Sequence, residues 1–424
     1  MKDIKEFRIN PDLDSLNNVK KIVDSVNNFV SNEHIQDLSA NLSNILEIPT
    51  EITNKKLKQI IYNQFNYYDN EPKFKIDFKL FRSIKYFFLF MLIILFKKKI
   101  KVKNNKREKM DIILDNVEKQ YVVEKFGKIL SHYRKSLILT NSFFANKFNL
   151  NNETIALNVH KSFLSCNILQ GKTFNCLKFV LNLFIFSKKN KLDLMKIFFL
   201  VFYISLKYYK IFSYYDSKYL IHDRIYHSCA IRNYLFKKNG GKKTICLQSH
   251  LPEAAISVFC DIDILLKFGK ENFTEKKLEA LGGKINISSS VGSIRMEQSL
   301  VNTDLLKKIK PIDILILGVN ISMWGSTSKD MKQNYYEQIR WIAKISKKFP
   351  NLRILIKHHE NFRGDTTEDE LLKDTGIEKV IKPTNGLNSY HYLMKSNFII
   401  SFCSTMILEA LSMNKKSFFF RSRK

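Results

Sequence analysis

Residues 352–360 read LRILIKHHE, and residues 397–411 read NFIISFCSTMILEAL. Each stretch begins with a short apolar run of strand length and then turns polar, and the second continues into an apolar pattern of helical period. Strands that alternate with helices predict βαβ units and a parallel sheet, in which ligands bind where the strands end. The two stretches therefore predict an α/β fold with a candidate site near the end of the chain.

The same alternation extends in both directions from these two stretches. Other predicted strands are apolar runs bounded by polar residues, and they lie at 218–222, 244–248, 261–269, 313–318, 379–381 and 416–420. Glycine pairs at 240–241 and 282–283 end the helices that separate the earlier strands. From about residue 111 we therefore predict two Rossmann-like domains facing a cleft.

A mainly helical region precedes these domains. Residues 1–70 carry 8 basic and 10 acidic side chains, whereas residues 71–110 carry 13 basic and 3 acidic ones. This change predicts three parts. They are a helical arm with a basic, apolar, membrane-proximal segment at 1–110, an N-terminal, acceptor-side domain at 111–300, and a C-terminal, nucleotide-donor-side domain at 301–424 that is short at its C-terminus.

Two segments combine apolar and basic residues. The eleven apolar residues Tyr86–Phe96 are followed by KKKIKVKNNKREK, and Phe179–Phe212 is rich in aromatic residues and lysines. A helix that crosses a bilayer needs about 20 apolar residues, so the first run is too short to span one. It is instead typical of a helix in the membrane interface or of a buried core helix. We expect a cytoplasmic protein that associates peripherally with the inner face of the membrane.

The whole chain of 424 residues is strongly basic, with 70 Lys and Arg against 40 Asp and Glu and a net charge of +30. Lys, Asn, Ile, Phe and Tyr are abundant together, so coding bias from an AT-rich genome is an alternative explanation. An anionic membrane surface is the first expected partner. Nucleic acid is the second candidate and is disfavoured, because no nucleic-acid-binding signature is present. Six irregularly spaced cysteines indicate reduced thiols rather than disulfides or a metal site.

The polar residues after the strands are the candidate binding residues. Lys357 and His358 could hold phosphate, although a solvated loop explains them as well. Ser401, Ser404 and Thr405 surround a predicted helix start, which is either an anion site or an ordinary N-cap. Glu409, one helical turn beyond Thr405, could accept hydrogen bonds from ribose hydroxyls.

Upstream, His250 and Glu253 follow a predicted strand and are candidates for the general base that deprotonates an acceptor. A surface loop explains them equally well. Asp261 and Asp263 form a DxD pair by letter but stand at a strand start. We therefore expect no metal and no cofactor, with fixed cations and a helix end stabilising a leaving group.

Together, the order of these motifs resembles the nucleotide-binding domain of GT-B glycosyltransferases. It looks most like the bacterial surface-polysaccharide enzymes that include CDP-glycerol glycerophosphotransferases, capsule transferases and GT-B sialyltransferases. The resemblance covers about residues 215–424 and implies that Lys357, His358, Ser404 and Thr405 bind the phosphates of the nucleotide. It also implies that Glu409 contacts the ribose.

The resemblance implies a transferase of capsule or lipopolysaccharide biosynthesis. Its substrates would be a nucleotide-activated sugar or polyol phosphate and a glycan or lipid-linked acceptor. Three alternatives remain open. The first is a nucleotide-sugar epimerase of the same architecture, and the second is a non-catalytic, membrane-associated polysaccharide-assembly protein with a decayed transferase domain. The third is a nucleic-acid-binding protein.

Overall fold

The computed structural model describes residues 15–63, 78–96, 107–115, 126–127, 129–140, 153–158, 167–248, 258–269, 273–299, 303–318, 329–359, 362, 364–383, 386–402 and 404–420. The chain divides into two compact units that adjoin in sequence between Gly292 and Ser293. Each unit contains a parallel sheet with helices packed around it.

The first unit begins with amphipathic helices. Val19, Val23, Val26 and Val30 recur at helical spacing and are buried, as the sequence predicts. The described helices of this unit are α1 (Ser15–Val30), α2 (Glu33–Leu46), α3 (Thr50–Tyr62), α4 (Leu80–Leu95), α5 (Thr173–Lys189), α6 (Leu194–Tyr214), α7 (Ala230–Lys238) and α8 (Phe273–Ala280).

The described strands of the first unit are β1 (Glu108–Lys109), β2 (Ile112–Asp115), β3 (Lys135–Thr140), β4 (Glu153–Asn158), β5 (Tyr215–Asp216), β6 (Tyr219–His222), β7 (Lys243–Leu247), β8 (Asp261–Lys267) and β9 (Lys284–Ser290). Seven form one parallel sheet in the order β4-β3-β2-β6-β7-β8-β9, and β1 pairs with β5 separately. The first strand of this sheet along the chain, β2, thus lies in its interior, and the order reverses between β2 and β6. This is Rossmann-like connectivity.

The second unit contains helices α9 (Ile294–Ser299), α10 (Lys329–Lys348), α11 (Thr366–Leu371), α12 (Ser389–Met394) and α13 (Met406–Ser412). Its strands are β10 (Ile312–Leu317), β11 (Ile354–Lys357), β12 (Glu378–Val380), β13 (Ser396–Ser401) and β14 (Lys416–Phe419). They form a parallel sheet in the order β12-β11-β10-β13-β14. The order reverses between β10 and β13, so this unit is Rossmann-like as well. The predicted fold class, two Rossmann-like α/β parts after a helical region, is confirmed.

A single hydrophobic core joins the N-terminal helices to the first sheet. It includes Val19 of α1, Phe90 of α4, Phe202 of α6 and Ile113 of β2. The sheet of the second unit has its own cores on its two faces, with Leu315 on one face and Ile316 on the other. The N-terminal helices and the first sheet thus share one core. The domain boundaries at 110 and 300 stay predictions.

Both segments in which the sequence combines apolar and basic residues are mainly helical where the structure describes them. Tyr86–Phe96 lies within and just after α4, and Phe179–Phe212 forms most of α5 and α6. Among the described residues, no helix has both the length and the apolar character needed to cross a membrane.

Candidate functional site

The carboxyl edge of the second sheet brings three strand ends together. In the register of the sheet, Leu317 of β10 is paired with Lys357 of β11 on one side and with Ser401 of β13 on the other. Gly318 and His358 follow directly. In parallel α/β sheets, ligands bind at this edge, next to the point where the strand order reverses. The structure thus brings the predicted residues 357, 358 and 401 to one edge.

His358 is a buried residue held from two sides. Its Nε2 lies 2.9 Å from Oε1 of Glu368, and its ring stacks on Phe362 with centroids 3.9 Å apart. Both the imidazole and the carboxylate are inaccessible to solvent. A carboxylate in this position fixes the orientation of the ring.

Glu368 is anchored by a second buried residue. The phenol of Tyr335 in α10 donates to Oε2 of Glu368 at 2.8 Å. Burial and the neighbouring Glu368 raise the pKa of Tyr335, so the phenol stays protonated and remains a donor. Sequence reasoning missed both residues, because Glu368 and Tyr335 lie on helices that bear no motif. The N-cap Asp365, which accepts from the Glu368 N–H, marks the start of α11 in the sequence.

The other ring nitrogen of His358, Nδ1, is buried and makes no hydrogen bond with the described residues. It faces Gly318 at the end of β10, where a Cβ atom would lie only 2.7 Å from Nδ1. The absence of a side chain at Gly318 therefore makes room for the ring. An imidazole whose Nε2–H donates to a carboxylate presents Nδ1 at the strand end, where it accepts a hydrogen bond from a ligand in the neutral ring or donates one when both nitrogens carry protons.

Lys357 is also buried, and its ammonium group is held by backbone groups. Nζ donates to the carbonyl oxygen of Ile381 at 2.9 Å and to that of His358. As a result, a positive charge lies next to the carboxyl end of β11. Its role in phosphate binding stays a prediction.

Ser401, Ser404 and Thr405 lie together at the end of β13. Oγ of Ser401 accepts from the N–H of Ser404 at 2.9 Å, and Oγ of Ser404 accepts from the N–H of Met406 at 3.3 Å. Thr405 is the N-cap residue of α13 but makes no side-chain capping bond. The hydroxyls of Ser401 and Ser404 thus order the turn that leads into the helix, as the alternative N-cap interpretation expects.

Glu409 points into the unit. Its carboxylate accepts from the hydroxyl of Ser293 and from the phenol of Tyr390, whose oxygen lies 3.1 and 3.0 Å from the two carboxylate oxygens. The side chain is nearly inaccessible. A role for Glu409 in ribose binding stays a prediction, and Ser293 and Tyr390 are the residues that position it.

The carboxyl edge of the first sheet holds a second buried cluster. Asp115 at the end of β2 is paired in register with His222 at the end of β6, where the strand order reverses. Oδ2 of Asp115 accepts from Arg232 at 2.7 Å and from the phenol of Tyr208 at 2.8 Å. No motif in the sequence marks this cluster, since Asp115 and Arg232 are 117 positions apart and only the fold brings them together.

The surroundings of the two strand ends favour a charged Asp115 and a neutral His222. Burial favours the neutral form of Asp115, but Arg232 and Lys207 outweigh it, so its pKa is lowered. Burial and the Arg232 guanidinium lower the pKa of His222 to about 3. His222 is therefore a neutral imidazole near pH 7, and its Nδ1 lies 3.0 Å from the carbonyl oxygen of Arg224.

The predicted catalytic residues His250 and Glu253 lie outside the described residues. The strand before them ends next to Gln248, whose amide oxygen accepts from the N–H of Phe268 at 3.0 Å. Among the described residues, no group of three or more His, Cys, Asp or Glu side chains could hold a metal ion. Asp263 instead accepts from the N–H of Thr244 at 2.9 Å.

Comparisons with known proteins give similarity at the level of structure. No family model matches the chain, and no curated protein matches it. The chain is similar to Staphylococcus aureus MnaA in complex with UDP, with 12% identity, a TM-score of 0.41, and coverage of 74% of this chain and 80% of that chain. It is also similar to the UDP-GlcNAc 2-epimerase from Neisseria meningitidis bound to UDP-GlcNAc, with 13% identity and a TM-score of 0.39. That match covers 75% of this chain and 83% of that chain.

The wall teichoic acid polymerase TagF, soaked with CDPG, is similar as well. Its identity is 11%, its TM-score is 0.38, and the match covers 80% of this chain and 76% of that chain. The similar structures are enzymes of the GT-B fold. Identities of 8–13% and TM-scores of 0.30–0.41 do not assign this chain to one enzyme family.

Proposed function

We propose that this protein is a GT-B-like glycosyltransferase of capsule or lipopolysaccharide biosynthesis. It transfers a sugar or polyol phosphate from a nucleotide-activated donor to a glycan or lipid-linked acceptor. The observation that carries the proposal is His358, which is held by Glu368 at the carboxyl edge of the second sheet with Nδ1 facing the end of β10. This is the edge at which nucleotides bind in Rossmann-like units.

The chemistry follows from the two nitrogens of His358. When Nε2–H donates to Glu368, Nδ1 carries the lone pair in the neutral ring. With a proton on both nitrogens, Nδ1 is a donor as well. A protonated His358 can neutralise the phosphate of a departing nucleotide, which is the group that gains charge during transfer.

The remaining predicted residues complete the proposed donor site. Lys357 adds positive charge below the strand end, and Ser401, Ser404 and Thr405 provide hydroxyl groups at the next strand end. The carboxylate of Glu409 accepts hydrogen bonds from ribose hydroxyls in place of the one from Ser293 or Tyr390. On the acceptor side, His250 or Glu253 deprotonates the attacking hydroxyl.

The first test is a thermal-shift screen with CMP, CDP, UDP, GDP and their sugar or polyol conjugates. A ligand at 100 times its dissociation constant should stabilise the folded protein by about 2.7 kcal/mol. We expect one nucleotide class to shift the wild type but not His358→Ala. The exposed His132 offers the matched control, because His132→Ala should keep the shift. A screen in which no nucleotide shifts the wild type would contradict the donor site.

Product analysis with the stabilising conjugate then separates the alternatives. Release of the nucleotide together with extension of a glycan acceptor identifies a transferase. A new sugar epimer that is still attached to its nucleotide would identify the epimerase instead. Binding without either product would identify the non-catalytic assembly protein.

A further inference from the structure

Helix α4 exposes a stripe of large apolar side chains. Phe81, Phe88, Leu92 and Leu95 recur at intervals of three, four and seven residues, so they lie along one side of the helix. The side chain of Phe81 is 89% exposed and that of Phe88 is 60% exposed. The opposite side of α4 is buried, with Phe90 completely inaccessible. A core helix would have buried both sides.

Helix α5 has a similar exposed stripe. Phe174, Leu181 and Ile185 follow the same helical spacing, and Phe174 is 76% exposed. Phe179 and Val180, on the other side of the helix, are buried.

Packing against α6 places the two stripes on one surface. Phe90 of α4 contacts Phe199 of α6 with ring centroids 5.1 Å apart, and Phe179 of α5 contacts Phe198 of α6 at 6.0 Å. The two outer helices also touch each other through Phe87 and Phe184, at 5.4 Å. Because α4 and α5 both turn their buried sides toward α6, their exposed stripes face away from it together. This surface, the α4–α5 face, consists of Phe81, Phe88, Leu92, Leu95, Phe174, Leu181 and Ile185.

The helices that form and support the α4–α5 face carry charge of one sign. Helices α4, α5 and α6 contain no Asp or Glu. Lys85 lies within the α4 stripe and Lys178 within the α5 stripe, while Lys188 and Lys189 end α5, and all four are exposed. In sequence, α4 is followed by Lys97, Lys98 and Lys99, which lie outside the described residues. An apolar face with a basic border is typical of helices that lie in the interface of an anionic membrane.

We propose that the α4–α5 face docks on a membrane surface that contains anionic phospholipid. The apolar side chains enter the boundary between head groups and acyl chains, and the lysines contact lipid phosphates. The four-residue spacing allows Lys85 and Lys178 to extend their amines toward the head groups from within the stripes. A second copy of the chain fits this surface poorly, because it would bring the same uncompensated lysines into contact with each other.

The exposed area supports stable docking. Phe81, Phe88 and Phe174 together expose on the order of 400 Å², at the level of the largest apolar patches on soluble monomers. The leucines and the isoleucine of the face add to this area. Docking would also hold a lipid-linked acceptor near the enzyme, although the surface is inferred independently of the proposed function.

Vesicle flotation with the full-length protein tests the proposal. We expect the protein to float with vesicles of phosphatidylcholine and phosphatidylglycerol, and to float less with phosphatidylcholine alone or at high salt. Replacing Lys178, Lys188 and Lys189 with Glu should lower the vesicle partition coefficient at least about 100-fold, because each lysine near an anionic surface contributes about fivefold. The matched control replaces the exposed Lys20, Lys21 and Lys284 with Glu, which changes the net charge equally. This control should float like the wild type.

A second variant set tests the apolar part. Phe81→Ser together with Phe174→Ser should lower partitioning by at least about 100-fold, since each phenylalanine that leaves water contributes strongly to binding. The control Phe349→Ser changes a half-exposed phenylalanine of the second unit and should have no effect. Flotation that is unchanged in both variant sets would overturn the proposal. A fall in oligomer mass in the Phe variants, with flotation unchanged, would show that a second copy covers the face instead.

Discussion

The buried cluster of the first unit contains an ion pair between Arg232 and Asp115. Both side chains are almost inaccessible, and Arg232 Nη1 lies 2.7 Å from Asp115 Oδ2. Arg232 also donates from Nη1 to the carbonyl oxygen of His227 at 3.2 Å. A buried charge without its partner is costly, whereas an apolar pair of similar volume is tolerated. This asymmetry makes the pair testable.

Arg232→Met should lower the free energy of unfolding by about 3–5 kcal/mol, because it leaves the Asp115 carboxylate buried without its counter-ion. The double variant with Asp115→Leu should recover at least half of that loss. Urea unfolding, followed by circular dichroism, measures both. The exposed pair of Lys307 and Asp304 provides the control, and Lys307→Met should leave stability unchanged. A double variant no more stable than Arg232→Met would contradict a penalty from unpaired charge.

His222 should make the stability of the first unit sensitive to acid. Its pKa is about 3 in the folded chain, below the ordinary 6.5 of the unfolded chain, because burial and Arg232 disfavour the cation. Between these values the unfolded chain binds more protons, so this residue's contribution to the free energy of unfolding falls as pH drops from 6.5 toward 3. The slope from this one residue is at most about 1.4 kcal/mol per pH unit.

The variant His222→Asn keeps a donor for the Arg224 carbonyl but does not titrate. We expect it to be less stable near pH 7 and to lose stability less steeply on acidification, as measured by urea unfolding at a series of pH values. The exposed His132 supplies the control, and His132→Asn should keep the wild-type slope. Equal slopes in the wild type and His222→Asn would show that His222 does not carry the effect.

At the residue scale, sequence reasoning located strand ends better than it located partners. It placed Lys357, His358 and Ser401 at the edge where the structure has them. It did not foresee Glu368 and Tyr335, which hold His358, or Ser293 and Tyr390, which hold Glu409. Hydrogen bonds between side chains on different elements depend on the tertiary fold, and a single sequence carries no direct signal for them.

At the scale of elements, the end of β10 and the start of the His358 segment must pass close to each other. A Cβ at position 318 would lie 2.7 Å from Nδ1 and 3.2 Å from Cα of His358. Backbone conformation does not require a glycine at this position, since Gly318 has no positive φ. The close approach of the two strand ends explains the glycine at position 318.

Gly318→Ala should therefore lower the free energy of unfolding by about 1–3 kcal/mol, as overpacking does, and should also abolish the nucleotide shift. Thermal and urea unfolding measure the first effect, and the thermal-shift screen measures the second. In a His358→Ala background the cost should shrink, because the ring nitrogen is gone and only the backbone contact remains. An equal cost in both backgrounds would contradict the steric explanation.

The elements themselves were predicted unevenly. The strands expected at 313–318 and at the start of the stretches 352–360 and 397–411 became β10, β11 and β13. Strands β2, β3, β4 and β9 were not predicted. The first three lie between the two apolar, basic segments, where no strand was expected. Strand β9 (KINISSS) is mostly exposed, so it lacks the apolar run of an interior strand. Helix α7 begins at Ala230, after a 3₁₀ turn at Ile225–His227.

At the scale of the whole molecule, charge should limit stability. A net charge of +30 on 424 residues repels itself in the compact state. Salt screens such repulsion, and the screening length is about 10 Å at 0.1 M. We expect the melting temperature to rise when sodium chloride is added at pH 7. A neutral solute at equal osmolality is the control, and a melting temperature that rises equally with both would exclude screening as the cause.

The amino-acid sequence alone determined the α/β class, the Rossmann-like repetition and the strand ends that bear polar residues. These properties follow from local periodicity and from residues that stop helices, which act over a few positions. The tertiary structure alone decided which strands are neighbours, and so brought Asp115 beside His222 and Leu317 beside Lys357 and Ser401. It also decided that α4 and α5 are each buried on one side only, because that depends on what packs against them.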